Sequence, residues 1–473
     1  MPASETRTPF GVTVMPERFQ FEGIDEVLDR VVAMGARAIA TSPYVLEVAP
    51  DGQGGREPPP DGEAGRVRPL DRPLAGRTEL WVRTAPAFVH DVARYRGLRY
   101  QPPAATRLTR QNVQLLDRVI TAAKSRGLEV LLQVMAASPP GYRAQFSGAF
   151  EDDQCRRPDG SLHLDRVDRN ASLASGHVRD YLVAFVVELA ERYPIDGIRL
   201  DWPEAPPYDL GSALFDFHPA MRRLMQDEGH DDVAVARDVA EWVRGLRAAA
   251  SRAAPEGPQA VRRALVDAGW EAWSSEDGVY QPLRSAKRRA ITGLLTAVRS
   301  ALGGLPGSRP RLEPQVFPPP FHRISGFPLD ALEGLADRVG VKLYTMHWPM
   351  IARYWARELV GEGAPGRDVD AVTAAVAELF DLLDEPVDDG AALRYPEPDT
   401  PHPVGASAQR RKLAEAGRLA GSVPVVAFAH AYGPGEDVAR RFRIACEGAP
   451  IAWLNRYGYL SDGKMRMITE AAA

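Results

Sequence analysis

Cysteine is nearly absent. Cys155 and Cys446 are the only two in 473 residues, which excludes a disulfide scaffold and a Cys-rich zinc site. Lysine is scarce as well: Lys124, Lys287, Lys342, Lys412 and Lys464 are the full set, and arginine carries the rest of the positive charge. The formal net charge of −5 offers no basic surplus, so neither nucleic acid nor an anionic membrane is an expected partner. A long hydrophobic run is missing too. The best apolar stretch, 181–190, is half a membrane span and contains Glu188. The first twenty residues carry Glu5, Arg7, Glu17 and Arg18 with no apolar segment between them, so no signal peptide is expected and the protein reads as cytoplasmic.

Several chemistries lose their usual signatures. No H-E-x-x-H, paired C-x-x-C or EF-hand loop occurs, and no metal or cofactor is expected. The acidic run 151–155 reads as a solvated loop. The glycine-rich pieces 52–55 and 303–307 lack the Lys and Ser/Thr of a phosphate loop. A G-x-S-x-G nucleophile elbow is missing, and only Lys342 is placed for Schiff-base chemistry.

What is present is an ordinary globular mixture, 45% hydrophobic and 26% charged, with short β-rich runs alternating with helical patterns. Eight candidate strands follow: 11–15, 37–41, 129–135, 197–202, 311–317, 341–347, 423–430 and 451–455. Amphipathic helices are expected at 24–34, 111–126, 177–192, 329–338, 409–420 and 437–446. Eight βα units in order predict a (β/α)8 TIM barrel, an α/β fold with its ligand groups at the C-terminal strand ends. A doubly wound sheet fits less well, because no G-x-G-x-x-G follows any strand. The surplus length falls in long βα loops, at 50–76, 136–175 and 384–403, and in helical patterns at 213–227, 232–253, 259–270 and 284–302. The chain therefore reads as one barrel domain over 1–473, with a helical insertion or lid over 205–305.

The most informative segment is 196–204, Asp-Gly-Ile-Arg-Leu-Asp-Trp-Pro-Glu. Strand alternation puts Arg199 and Asp201 on one face and Ile198, Leu200 and Trp202 on the other. With the apolar set against the outer helices, Arg199 and Asp201 turn inward, and Asp201 stands near the strand's end. A carboxylate beside a guanidinium stays ionised at neutral pH, the state required of a glycosidase nucleophile or charge stabiliser. The alternative is a buried Arg–Asp pair that only closes the barrel.

The run 196–201 resembles the fourth-strand signature of α-amylase-like glycoside hydrolases. More loosely, the stretch 155–210, through Asn170-Ala-Ser and His177-Val-Arg-Asp-Tyr-Leu, resembles bacterial glycoside-hydrolase-like barrel proteins. The resemblance implies a glycosidase in which Asp201 is the nucleophile, Arg199 an active-site partner, and Glu313 of the fifth strand the acid/base. The chain departs from the amylase pattern at its seventh strand, with Phe428-Ala-His-Ala-Tyr432 in place of an Asn-His-Asp triplet.

Two residues compete for the acid/base. Glu313 shares a face with Gln315 and Phe317 and is either catalytic or bridged to a neighbouring strand, with Lys342 as a partner. Glu204 lies in a Pro-bracketed turn with Tyr208 after it, and Pro203, Ala205, Pro206 and Pro207 offer the dry setting a general acid needs. Tyr44, Gln133, Trp202, Tyr208, Gln315, Tyr344, His347, Trp348, His430, Tyr432 and Asn455 stand at or near strand ends. As aromatic faces and hydroxyl-binding groups they suit a carbohydrate or another small polar substrate. Two other functions stay open: a barrel lyase or isomerase on a sugar-like acid, with Lys342 and His347 as base and acid, and a non-catalytic carbohydrate-binding barrel.

Overall fold

The computed structural model describes residues 8–59, 68–143, 148–162, 170–307 and 309–472. Parts of the expected loops 50–76 and 136–175 lie outside the described residues. The strands are β1 (Phe10–Thr13), β2 (Ala38–Thr41), β3 (Tyr44–Val48), β4 (Gly55–Glu57), β5 (Leu80–Pro86), β6 (Glu129–Met135), β7 (Gly197–Asp201), β8 (Arg311–Val316), β9 (Val339–Leu343), β10 (Val425–His430) and β11 (Ile451–Asn455). Eight of them close a parallel barrel in the order β1-β11-β10-β9-β8-β7-β6-β2. The fold is a (β/α)8 barrel, and every expected strand contributes to it.

The three remaining strands form an antiparallel sheet, β3-β5-β4, in the connection between β2 and β6. Sequence alone reads 50–76 as loop. β4 is three residues long in a Gly- and Pro-rich stretch, too short for its alternation to show. Other expectations shift. No helix forms at 329–338: the segment makes turns, and Gly334 adopts φ +75° within it. The sixth barrel strand runs 339–343, not 341–347, and His347 instead begins the helix His347–Val360. The helix Gly366–Leu379 follows it.

Between β7 and β8 come helices Leu210–Ala213, Pro219–Asp227, Asp232–Ala253, Pro258–Asp267 and Gln281–Gly303. Gln281–Gly303 packs against Gly176–Arg192, the helix that leads into β7, and so occupies an outer-ring position of the barrel. Asp232–Ala253 packs on His347–Val360, and Pro258–Asp267 on Gly366–Leu379. Among the described residues no helix is long and apolar enough to cross a membrane.

The barrel interior has its own small core, built from Ala38, Ala40, Leu131, Val426, Phe428 and Trp453. Arg199 lies inside it, fully buried. Its guanidinium carbon stands 3.8 Å from the Trp453 ring centroid and 4.6 Å from that of Phe428. Two glycines make this possible. A Cβ at Gly11 would lie 2.3 Å from the Trp453 ring, and one at Gly340 2.7 Å from Phe428. Register puts Arg199 opposite Glu313, and Arg199 Nε donates to Glu313 Oε1 at 2.7 Å. Burial pulls the Arg199 guanidinium below its ordinary pKa, and Glu313 opposes that pull.

Removing one member of a buried pair leaves the other charge uncompensated. Glu313→Ala is therefore expected to lower the unfolding free energy by about 3–5 kcal/mol, read by chemical denaturation. The double variant Arg199→Met, Glu313→Leu should recover part of that loss. A double variant no more stable than the single would contradict this account of the pair.

Candidate active site at the barrel mouth

Asp201 ends β7, one side-chain layer above Arg199. Its partner is not Arg199, as alternation suggests, but Lys342, whose Nζ lies 2.7 Å from Asp201 Oδ1. Gln133 Nε2 donates to the other oxygen at 3.1 Å. Arg199 is spent on Glu313, one layer deeper, because those two are direct register neighbours. The neighbour-strand bridge considered for Glu313 thus exists, with Arg199 rather than Lys342 as its partner. The Lys342 ammonium is itself buried, 5.2 Å from the Phe317 ring and 5.6 Å from that of Trp202.

The chain leaves β7 through a sharp bend. Trp202 adopts φ +54°, a left-handed conformation that costs a bulky residue on the order of 1–3 kcal/mol. The bend breaks strand alternation. Trp202 is half-buried beside Lys342 and 5.8 Å from Tyr208, not packed among the outer helices as its strand parity implies. Past the bend, Glu204 folds into a dry site with 2% exposure. Phe317 N donates to Glu204 Oε1 at 2.7 Å, and Ser325 Oγ to Oε2 at 2.8 Å. Burial pushes the Glu204 carboxyl up to about 7, against the pull of the nearby Lys342 ammonium and these two hydrogen bonds.

An arc of rings continues from Trp202 around the mouth. Tyr208 lies 5.5 Å from His347, His347 5.9 Å from Tyr344, and Tyr344 5.3 Å from His430. Gln315 donates to Tyr344 OH at 3.1 Å. Burial, with Arg68 close by, holds His430 well below the usual imidazole pKa, so its ring is neutral. Asp201, Trp202, Tyr344 and Asn455 are only half-buried.

Three expected binding residues lie elsewhere or are closed off. Trp348 is in the first turn of a helix and 1% exposed, so it offers no ring face to a ligand. Tyr432 is buried and its hydroxyl donates to Pro396 O at 2.9 Å. Tyr44 is fully buried, donating to Glu17 at 2.9 Å and accepting from Arg143 at 3.0 Å.

That last contact belongs to a buried cluster that strand alternation does not reveal. Arg143 Nη2 meets Glu57 Oε2 at 2.6 Å, and Arg456 Nη2 meets Glu57 Oε1 at 2.5 Å. Burial pushes the Glu57 carboxyl up, but the two guanidiniums outweigh it and hold it below the usual range. Arg456 directly follows β11 and was findable as a strand-end residue. Glu57 carries no such signal, because it sits in the short β4. Among the described residues no group of three His, Cys, Asp or Glu side chains forms a metal site.

No protein-family model matches this chain, and no curated protein matches it in sequence. Solved structures resemble its fold. The glycoside hydrolase domain of PgaB (BpsB) from Bordetella bronchiseptica is 12% identical, with 95% of this chain and 94% of that chain covered and a TM-score of 0.49. A β-galactosidase from the psychrophilic Marinomonas ef1 is 10% identical over 98% of this chain and 59% of that one, also at 0.49. A chitinase from Chromobacterium violaceum is 10% identical over 98% and 99%, at 0.41. Likeness at this level carries no argument about what this chain does, and the chemistry rests on the residues above.

Glu204 yields a stability prediction with a definite sign. Its folded pKa of about 7 lies above the ordinary carboxyl value of 4.5, so the folded state binds its proton more tightly. That stabilisation is complete below pH 4.5 and is lost as pH rises through 7. Glu204→Gln removes the ionisation. Relative to wild type, the variant should gain on the order of 3 kcal/mol between pH 5 and pH 8 in denaturation experiments. A difference independent of pH would contradict the burial argument.

Proposed function

We propose that the protein hydrolyses glycosidic bonds at the C-terminal mouth of its barrel, with Glu204 as general acid/base and Asp201 as nucleophile or charge-stabilising carboxylate. One observation carries the reading: two carboxylates three residues apart sit at one strand end in opposite settings. Asp201 keeps partial exposure, 15% for its side chain, and is paired with an ammonium, while Glu204 is dry and pushed up to about 7 by burial. Glycoside hydrolysis needs this division of labour. The protonated carboxyl gives its proton to the leaving oxygen. The charged one faces the positive charge that develops at the anomeric carbon. Glu204, then ionised, takes a proton from the attacking water.

The surroundings fit a sugar. The partly exposed rings of Trp202 and Tyr344 offer apolar faces to C–H groups and Asn455 a group that binds hydroxyls, with Gln133, Tyr208, Gln315, His347 and His430 buried behind them as their support. Within this reading Glu313 supports the interior rather than the chemistry, since Arg199 already holds it. The resemblance of 196–201 to the α-amylase-like fourth strand favours Asp201 as the nucleophile. A lyase or isomerase is less well supported, because the Lys342 ammonium is committed to Asp201.

The test compares wild type, Asp201→Asn and Glu204→Gln on a panel of aryl and alkyl glycosides. Both variants should lose about 10²–10⁴-fold in kcat. The Glu204→Gln loss should be smaller for aryl leaving groups that depart without a proton. In wild type, kcat/KM should fall on the alkaline side with a limb near pH 7, as Glu204 ionises. Undiminished turnover in either variant sinks the assignment.

A further inference from the structure

Two short helices end at the same point beside Glu204. One, Leu210–Ala213, closes at Ala213, and the other, Phe321–Ser325, closes one residue past Ile324. Carbonyls at a helix C-terminus have no donor within the helix, and a cation is a favoured partner for them. Lys287, from the helix Gln281–Gly303, supplies one. Its ammonium donates to Ala213 O at 2.8 Å, Tyr280 OH at 2.7 Å and Ile324 O at 3.1 Å, which uses all three N–H groups. Tyr280 OH lies 2.8 Å from both carbonyls and shares its proton between them. Lys287 and Tyr280 are both buried, and the segments are in direct contact: a Cβ at Gly326 would lie 2.4 Å from Lys287 Cβ.

This anchor holds the residue after Ile324. Ser325 Oγ donates to Glu204 Oε2 at 2.8 Å. Phe321–Ser325 has only 5 residues, too short a helix to hold its geometry unaided. Its place is set from outside, by the grip on Ile324 O. Burial pulls the Lys287 ammonium down to about 7, opposed by Asp216 and Cys155. A neutral amine would still reach both carbonyls with its two N–H groups and accept from Tyr280, so the anchor survives the loss of that proton.

We propose that Lys287 and Tyr280 are positioning residues for Glu204: by fixing the Ile324 carbonyl they hold Ser325 Oγ on Glu204, so the helices between β7 and β8 act on this carboxyl through one hydroxyl. The inference rests on the proposed role of Glu204 only for its catalytic consequence. A hydroxyl that donates to a carboxylate favours the charged form, so Ser325 opposes the burial that raises Glu204. The other charged and titratable groups around Glu204 are Lys342 and Asp201 on the mouth side, and Asp216, Lys287 and Cys155, which line the small apolar space that Glu204 and Ser325 also border. A direct effect of the Lys287 charge on Glu204 would be the same with or without Ser325. An effect carried through the Ser325 hydroxyl would vanish with it.

The test uses the full chain. The carboxyl titration of Glu204 is followed by infrared spectroscopy, assigned by subtracting the Glu204→Gln spectrum. Ser325→Ala should move it up by about one pH unit, tenfold in proton concentration. Tyr280→Phe and Lys287→Met should each move it the same way, by at least about twofold in proton concentration. In a Ser325→Ala background neither should move it further. An unmoved titration in the single variants, or shifts that persist in full without Ser325, overturns the proposal. If Lys287→Met does not fold, Tyr280→Phe, which keeps the ring and the net charge, decides alone. The expected pattern in a protein whose Glu204→Gln variant retains full turnover would keep the anchor and reject the proposed reaction alone.

Discussion

The burial of Arg199 inside the barrel is the constraint from which the mouth is arranged. A guanidinium with no solvent contact needs a carboxylate and a surface for its flat faces. Glu313 supplies the first from the next strand, in register. Trp453 and Phe428 supply the second, and they fit only because positions 11 and 340 carry no side chain. Once Arg199 and Glu313 satisfy each other, Asp201 has to find its cation one layer higher. Lys342, on β9, provides it. The ion pair in the core thus sets which groups remain at the mouth.

The second arrangement depends on one backbone bend. Had β7 continued regularly, Trp202 would point outward and Glu204 would follow its parity. The left-handed conformation at Trp202 instead turns the chain across the mouth, brings the indole beside Lys342, and tucks Glu204 between Phe317 N and Ser325. Strain of this kind persists where surrounding structure holds it, and here Lys342, Phe317 and Tyr208 do so. The outcome is that adjacent carboxylates occupy contrasting environments although they share one strand end.

Legibility in the sequence followed periodicity. The eight barrel strands were readable because each is an apolar run bounded by turn residues, and Arg199 and Asp201 were placed inward by alternation alone. Their partners were not readable, since alternation gives the face of a residue but not the layer at which a neighbouring strand meets it. Alternation thus assigns Arg199 to Asp201 and Lys342 to Glu313, whereas register pairs Arg199 with Glu313 and Asp201 meets Lys342 from β9, two strands away. His347 and Trp348 looked like a strand end because the apolar run of β9 flows into a helix without a breaker. Glu57 and Arg143 were invisible for another reason: their meeting depends on long connections whose course no local pattern encodes.

The two sides of the mouth differ in kind. Near β1, β2, β6 and β11, Glu17, Glu57, Arg143 and Arg456 satisfy one another in a buried cluster that ties β4 to the segments after β1, β6 and β11. Near β7 to β10, rings and neutral polar groups line the wall. Charges matched in this way stiffen a wall but present little to a ligand, because moving any one of them exposes the others. Under the proposed function, recognition therefore falls to the side where Trp202, Tyr344 and Asp201 keep partial exposure. A ligand with apolar ring faces and hydroxyl edges matches that side better than a strongly charged one would. Lys342 is already neutralised by Asp201, so an anionic group meeting it would have to compete with a carboxylate fixed 2.7 Å from the ammonium.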